Sequence, residues 1–252
     1  MMDNSIAYSA AEPDDSLRDV VESFWLLTGQ EAQQKQIIIL PDGRIDLFFS
    51  YSPTEPFEVR LMGLSTKPDL ATLEPGTVIF AVSFKLLAVE YILRAPVADI
   101  LDGTRQLPDQ SWSITKTDLI DLSSFRDKVS KKIHEQLPDE IDPRKQKLFH
   151  AIYESQGNLS VQALANSAGW SSRQINRYFQ QWFGMSLKAY CSILRFRASF
   201  GHIREGKFFP EQKFADQPHF IREIKRFSGV NPKELFKNKD DRFIQFSLLK
   251  GK

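Results

Sequence analysis

The apolar positions of this chain change period about a third of the way along it. Up to Lys85 they fall in short runs separated by turn residues. Residues 17–27 (LRDVVESFWLL) begin as a helical turn and become an aromatic, β-branched run. Residues 36–40 (QIIIL) read as a buried strand, Pro41-Asp42-Gly43 as a tight turn, and residues 44–51 (RIDLFFSY) as the strand returning beside the first. Residues 57–64 alternate as another strand, and 77–85 (TVIFAVSFK) follow the Glu74-Pro75-Gly76 turn as one more. From Leu86 the spacing is helical. It predicts a helix over 86–93 stopped before Pro96, a helical piece over 97–101, and an amphipathic helix over 119–137 with Leu122, Phe125, Val129, Ile133 and Leu137 on one stripe. Lys128, Lys131, Lys132 and Glu135 lie on its wet side, and the stripe can cover its own sheet or pair with a second protomer.

Beyond the linker 138–144 (PDEIDPR) every predicted element is a helix. Residues 145–155 turn Leu148, Ile152 and Tyr153 inward and end at Gly157-Asn158. Residues 159–183 (LSVQALANSAGWSSRQINRYFQQWF) then read as a helix-turn-helix. Its apolar positions are Leu164, Ala168, Trp170, Ile175 and Tyr178, with Ala165 small where the helices approach and Gly169 free to take positive φ at the turn. Ser160 and either Ser171 or Ser172 are the expected caps. The second helix, 172–182, buries Ile175, Tyr178, Phe179 and Phe183. It turns Arg173, Gln174, Asn176, Arg177, Gln180 and Gln181 outward with no acidic residue among them. Arg matches guanine O6 and N7 bidentately, and Asn or Gln matches adenine N6 and N7, so the major groove is one reading of this face and a solvated bundle surface the other.

The net charge of +1 conceals a partition. From residue 144 onward there are 20 Lys and Arg against 8 Asp and Glu, leaving 13 against 24 in the first 143 residues. The basic part has the electrostatic footprint of a phosphate-backbone binder, and the acidic part does not. At 252 residues the chain has room for two domains, expected at 1–140 and 141–252. No run suits a membrane span and the start, MMDNSIAYSAAEPDD, has no signal-peptide pattern, so a cytoplasmic protein without membrane contact is expected. The single Cys191 reads as core, and four scattered histidines offer no zinc pattern; neither a metal, a cofactor nor a catalytic set is expected.

With GWSSRQINRYFQQWFGMSLKAY and, near the end, FADQPHFIREIKRFSGVNPKEL, the last hundred residues resemble the AraC/XylS family of bacterial transcription regulators. The resemblance implies two helix-turn-helix units joined by a long helix, here from Ser186 to about Arg204, each offering a recognition helix to one face of double-stranded DNA. It carries DNA contact to Ser172, Arg173, Gln174, Asn176, Arg177 and Gln180 in the first unit, and to Gln217, Pro218, Ile221 and Arg222 in the second. Two departures stand out: Leu187 where the family usually has proline, and only KFFPEQKFA between Gly206 and Asp216, about four residues short and broken by Pro210. The second unit is therefore expected to replace its first helix by a loop anchored by Phe208, Phe209 and Phe214. It should supply mainly phosphate contacts through Lys213, Lys225 and Arg226. His219 reads equally as a packing, capping or DNA residue, and the tail 241–249 (DRFIQFSLL) is apolar enough to pack back.

The first half is similar to the cupin-like sensor domain that precedes some AraC-type modules, on Phe24-Trp25, ILPDGRIDLFF, MGL at 62–64 and VSF at 82–84. The fold class expected is α+β: a small cupin-like β-barrel with following helices, then an all-α double helix-turn-helix domain with its second unit shortened. The resemblance leaves open a small-molecule effector, a homodimer and RNA polymerase as partners. Asp42, Arg44 and Asp46 could line a pocket or form a catalytic pair, or could be no more than turn chemistry. A first rival is a ligand-independent DNA-bound regulator whose first domain only dimerises or docks a protein. A second is an enzyme with a DNA-binding appendage, which would need a reactive cysteine or clustered acid-base set in a half that has no cysteine.

Overall fold

The computed structural model describes residues 6–30 and 34–248. Residues 1–5 and Leu249 of the expected tail lie outside them. The chain is α+β and divides into two compact units. One holds Arg44–Gly63, Thr72–Ile141 and the described residues up to Gln36; the other holds Ile37–Gly43, Leu64–Ala71 and the described residues from Asp142 onward.

The first unit is built on a six-stranded antiparallel sheet. Its strands are β1 (Ile6–Ala11), β2 (Val21–Gly29), β4 (Ile45–Tyr51), β5 (Glu58–Met62), β7 (Val78–Phe84) and β8 (Thr104–Leu107), in the order β1-β2-β7-β4-β5-β8. Two further strands, β3 (Lys35–Ile39) and β6 (Asp69–Leu73), form a separate pair. The sheet buries one face under α1 (Leu122–Gln136), where Phe125 meets Phe24, Phe49 and Phe80 with ring centroids 6.4, 5.5 and 5.3 Å apart. The apolar stripe of this helix is thereby used within its own unit, and Asp121 caps it by accepting from the Ser124 amide. The helix expected over 86–93 closes as a π-helix, Val89–Leu93, and the piece over 97–101 as a 3-10 turn, Ala98–Ile100.

One expectation fails here. Residues 36–40 and 44–51 are not hairpin partners: β3 pairs with β6, whereas β4 lies between β7 and β5. The hairpin in this region is β4–β5, closed by Ser52, whose hydroxyl accepts from the amides of Thr54 and Glu55. Period-two alternation assigns a strand its buried face but not its neighbour, and the end of β3 and the residues that follow it have other partners in the second unit. The Ile38 and Leu40 amides donate to the Arg242 carbonyl (2.6 Å) and the Gln245 side chain (2.7 Å), and the Gly43 carbonyl accepts from the Tyr190 hydroxyl (2.9 Å). Arg44 is buried in an ion pair with Glu22 at 3.0 Å, and Asp46 accepts from the Ser83 hydroxyl.

From Asp142 onward the second unit is helical: α2 (Pro143–Glu154), α3 (Val161–Ala168), α4 (Ser172–Phe183), α5 (Leu187–Ala198), α6 (Phe200–Arg204), α7 (Gln217–Ser228), α8 (Pro232–Lys237) and α9 (Ile244–Leu248). The long helix expected from Ser186 is interrupted at Ser199, whose hydroxyl donates back to the Arg195 carbonyl at 2.8 Å; such back-bonding bends helices. Tail residues Phe243, Ile244 and Phe246 are buried, with Phe246 edge-on to Phe200 at 5.5 Å.

Candidate nucleic-acid interface

The caps that start and end α3 and α4 lie within a short window of sequence. Ser160 caps α3 by accepting from the Ala163 amide, and Gly169 ends it at φ 65°. Ser171, not Ser172, caps α4, as half of a reciprocal box: the Gln174 amide donates to the Ser171 hydroxyl at 3.2 Å, and the Ser171 amide donates to Gln174 Oε1 at 2.9 Å. Ser-Ser-Arg-Gln is the S-x-x-Q signature of this box and was legible in the residues. Below, Tyr178, Phe179 and Phe183 pack around Phe149 of α2 with centroids 6.1 to 6.4 Å apart. Phe149 is a core residue that the spacing of α2 did not single out.

The opposite face of α4 carries the expected readers in different states. The side chains of Arg173, Arg177 and Gln180 are exposed and, among the described residues, make no hydrogen bond or ion pair. Asn176 is half-buried and donates one amide hydrogen to the Ser172 carbonyl at 3.0 Å. Ser172 donates to Gln162 of α3 at 3.2 Å, and Gln174 has its side-chain oxygen held in the capping box. Trp170 and Tyr178 lie under the cations of Arg144 and Lys145, at 5.7 and 5.3 Å.

In α7, Asp216 caps by accepting from the His219 amide at 2.7 Å, and Pro218 occupies the first turn. His219 itself is a capping residue, its Nδ1 accepting from the Ala215 amide at 3.2 Å. Phe220, Ile224 and Phe227 are buried, while Gln217, Pro218, Ile221, Arg222, Lys225 and Arg226 are exposed. Arg226 pairs with Glu223 at 3.4 Å, and Lys213 is exposed on the preceding loop. No helix forms between Gly206 and Asp216, as the proline and the short spacing predict. Of the three expected anchors only two serve. Phe208 packs on Phe236 (5.6 Å) and Phe214 on Phe220 (5.2 Å), whereas Phe209 is 60% exposed, since a loop this short cannot turn adjacent rings the same way. Asn158 is the anchor the sequence concealed: its amide donates to Gln212 at 2.7 Å and accepts from the Lys213 backbone at 2.9 Å. Arg195 is half-buried and donates to the Gly157 carbonyl (2.6 Å) and to Ser192 (2.8 Å).

Other chemistry is sparse among the described residues. Burial pushes the Cys191 thiol up to about 11 against the opposing charge of Arg195, which leaves negligible thiolate at neutral pH. No group of three His, Cys, Asp or Glu there is placed to hold a metal, and no helix is long and apolar enough to cross a membrane. In the first unit Tyr8, Trp25 and Phe48 form a half-buried aromatic row, with Trp25 6.2 Å from Tyr8 and 5.4 Å from Phe48. The Trp25 indole donates to Ser83 at 2.9 Å, and Ser83 donates to Asp46.

A family described as "Domain of unknown function (DUF6597)" matches residues 9–106. No curated protein matches the chain. Among solved structures the chain is similar to ToxT from Vibrio cholerae in its P21 form, at 12% identity and TM-score 0.46 over 92% of this chain and 98% of that one. ToxT bound to (E)-4-(8-methylnaphthalen-1-yl)but-3-enoic acid gives 11% identity and TM-score 0.45, covering 92% and 98%. Wild-type ToxT from strain SCE256 with an unsaturated fatty acid bound gives 10% and 0.41, covering 94% and 96%.

Proposed function

We propose that this chain is a transcription regulator that binds double-stranded DNA sequence-specifically by laying α4 in the major groove, under the control of its first unit. The observation that carries the reading is the outward face of α4. Arg173 and Arg177 are exposed there with no partner among the described residues, on a capped helix whose other face is locked into an aromatic core and which holds no carboxylate. Guanidinium forks suit guanine, and Asn176 keeps one amide hydrogen and its oxygen for adenine after donating to Ser172. Gln174 acts in this reading by fixing the start of the helix, with Ser172 and Gln180 flanking the readers. The second helix-turn-helix follows with α7, where Gln217 and Arg222 are the polar readers beside Pro218 and Ile221, and Lys213, Lys225 and Arg226 meet phosphates. The aromatic row of Tyr8, Trp25 and Phe48 beside the Asp46–Ser83 pair is an apolar surface with a polar handle, the chemistry that suits a small-molecule effector. A second copy of the chain and RNA polymerase are the protein partners that cytoplasmic gene control calls for.

Two substitutions test the assignment on a duplex selected by the protein and on random duplex. Arg177→Ala is expected to lower the preference for the selected site by about 1–3 kcal/mol. Lys225→Ala is expected to weaken both duplexes alike and to flatten the salt dependence. Equal losses on both duplexes for Arg177→Ala would end the claim that this residue reads sequence.

A further inference from the structure

The loop joining α6 to α7 stands where a helix-turn-helix has its first helix, and it carries a ring that the fold does not use. Its backbone is held on several sides. Asn158 clamps Gln212 and Lys213, Phe208 and Phe214 pack on Phe236 and Phe220, and Lys207 pairs with Glu205 and Glu211 at 2.7 and 3.2 Å. Between these anchors Phe209 projects, 60% exposed. The Gln217 side chain donates to the Phe208 carbonyl at 3.5 Å, so Phe209 emerges beside the first residue of α7. Ile221, one turn further along that helix, is 38% exposed.

We infer that Phe209 is a DNA-contact residue whose ring packs against the C5 methyl group of a thymine in the major groove, next to the bases that α7 faces. The inference rests on the reading of the chain as a DNA-binding regulator. Duplex DNA is the occupant favoured by the surrounding charge. Lys213, Arg222 and Lys225 are exposed cations of the same module, while Glu205 and Glu211 share Lys207, Glu223 pairs with Arg226, and Asp216 caps α7. Thymine alone presents a methyl group on the major-groove edge, and an apolar ring is the side chain that recognises it. The loop thus adds apolar readout to a unit whose polar readers are only Gln217 and Arg222.

The test begins by selecting preferred duplexes from a random pool with the full chain, then replacing each thymine of the best site by deoxyuridine, which removes only the methyl group. At one thymine in the part of the site covered by the second unit, wild type is expected to lose about fourfold in affinity, the effect of one methyl group kept from water. Phe209→Ala should bind the thymine and uracil duplexes equally with an unchanged melting temperature, and Phe209→Leu should restore part of the difference. A deoxyuridine penalty that is the same in Phe209→Ala as in wild type, or absent at every position, overturns the contact while leaving the DNA-binding reading intact. Failure to select any sequence overturns both. DNA binding unchanged in Phe209→Ala but self-association lost would transfer the ring to a protein interface and likewise overturn the proposal.

Discussion

Gly157 and Gly169 both end helices at positive φ, 75° and 65°, yet they differ in what surrounds them. A Cβ at Gly157 would overlap the Cys191 carbonyl oxygen and lie 3.0 Å from the Cys191 carbonyl carbon, all of it backbone that cannot swing aside. Nothing lies within 4 Å of a Cβ at Gly169. Gly169→Ala should therefore cost only the left-handed conformation, about 1–2 kcal/mol. Gly157→Ala should add the overpacking term of roughly 1–3 kcal/mol to a similar strain. Urea unfolding of the two variants checks the order, and equal losses would show that the α2 terminus does not approach α5 as described. The sequence marked both glycines as helix ends because that role is local. It could not distinguish them, because the close approach to Cys191 comes from a residue 34 positions away along the chain.

The same contrast holds between elements. The α3–α4 pair was legible because its caps, its small residues and its apolar stripe all lie within 25 residues and need no knowledge of the rest of the chain. Partners in the sheet were not legible, and neither were β1, β6 and β8, whose sequences IAYSAA, DLATL and TRQL show little apolar alternation. The α6–α7 region lies between these cases: the missing helix could be read from Pro210, but the packing that replaces it could not. His202 of α6 shows the consequence. Its side chain is 2% exposed, lies 5.6 Å from the Phe220 ring, and has no hydrogen-bond partner for Nε2 in the described structure. Burial holds its pKa below the usual 6.5, with Lys207 adding to the effect and Glu211, 3.9 Å from Nδ1, and Glu205 opposing it. The sign follows: the unfolded chain takes up a proton near pH 6.5 that the folded ring refuses until lower pH, so this stability is present above 6.5 and is lost as pH falls. Melting temperatures at pH 7.5 and 5.5 should therefore fall further in wild type than in His202→Phe. Parallel falls in the two proteins would mean that the ring is not held neutral.

At the scale of the whole chain, the decisive quantity is where the charge sits. A net charge of +1 gives a polyanion no reason to approach, yet 20 of the 33 basic residues fall at or after residue 144, in company with only 8 of the 32 acidic ones. A salt titration separates this partition from the overall balance, because each phosphate neutralised releases counterions and contributes roughly −0.9 to the slope of log affinity against log salt. Substituting Lys213, Lys225 and Arg226 together by Gln removes three cations assigned to phosphates and should flatten that slope by about 3 on random duplex. Lys131→Gln on α1 removes an exposed charge from the acidic half and should leave the slope where it was. If the two variants shift it by the same amount per charge removed, DNA is responding to the net charge of the protein, and the assignment of phosphate contacts to the loop and helix of the second unit is wrong.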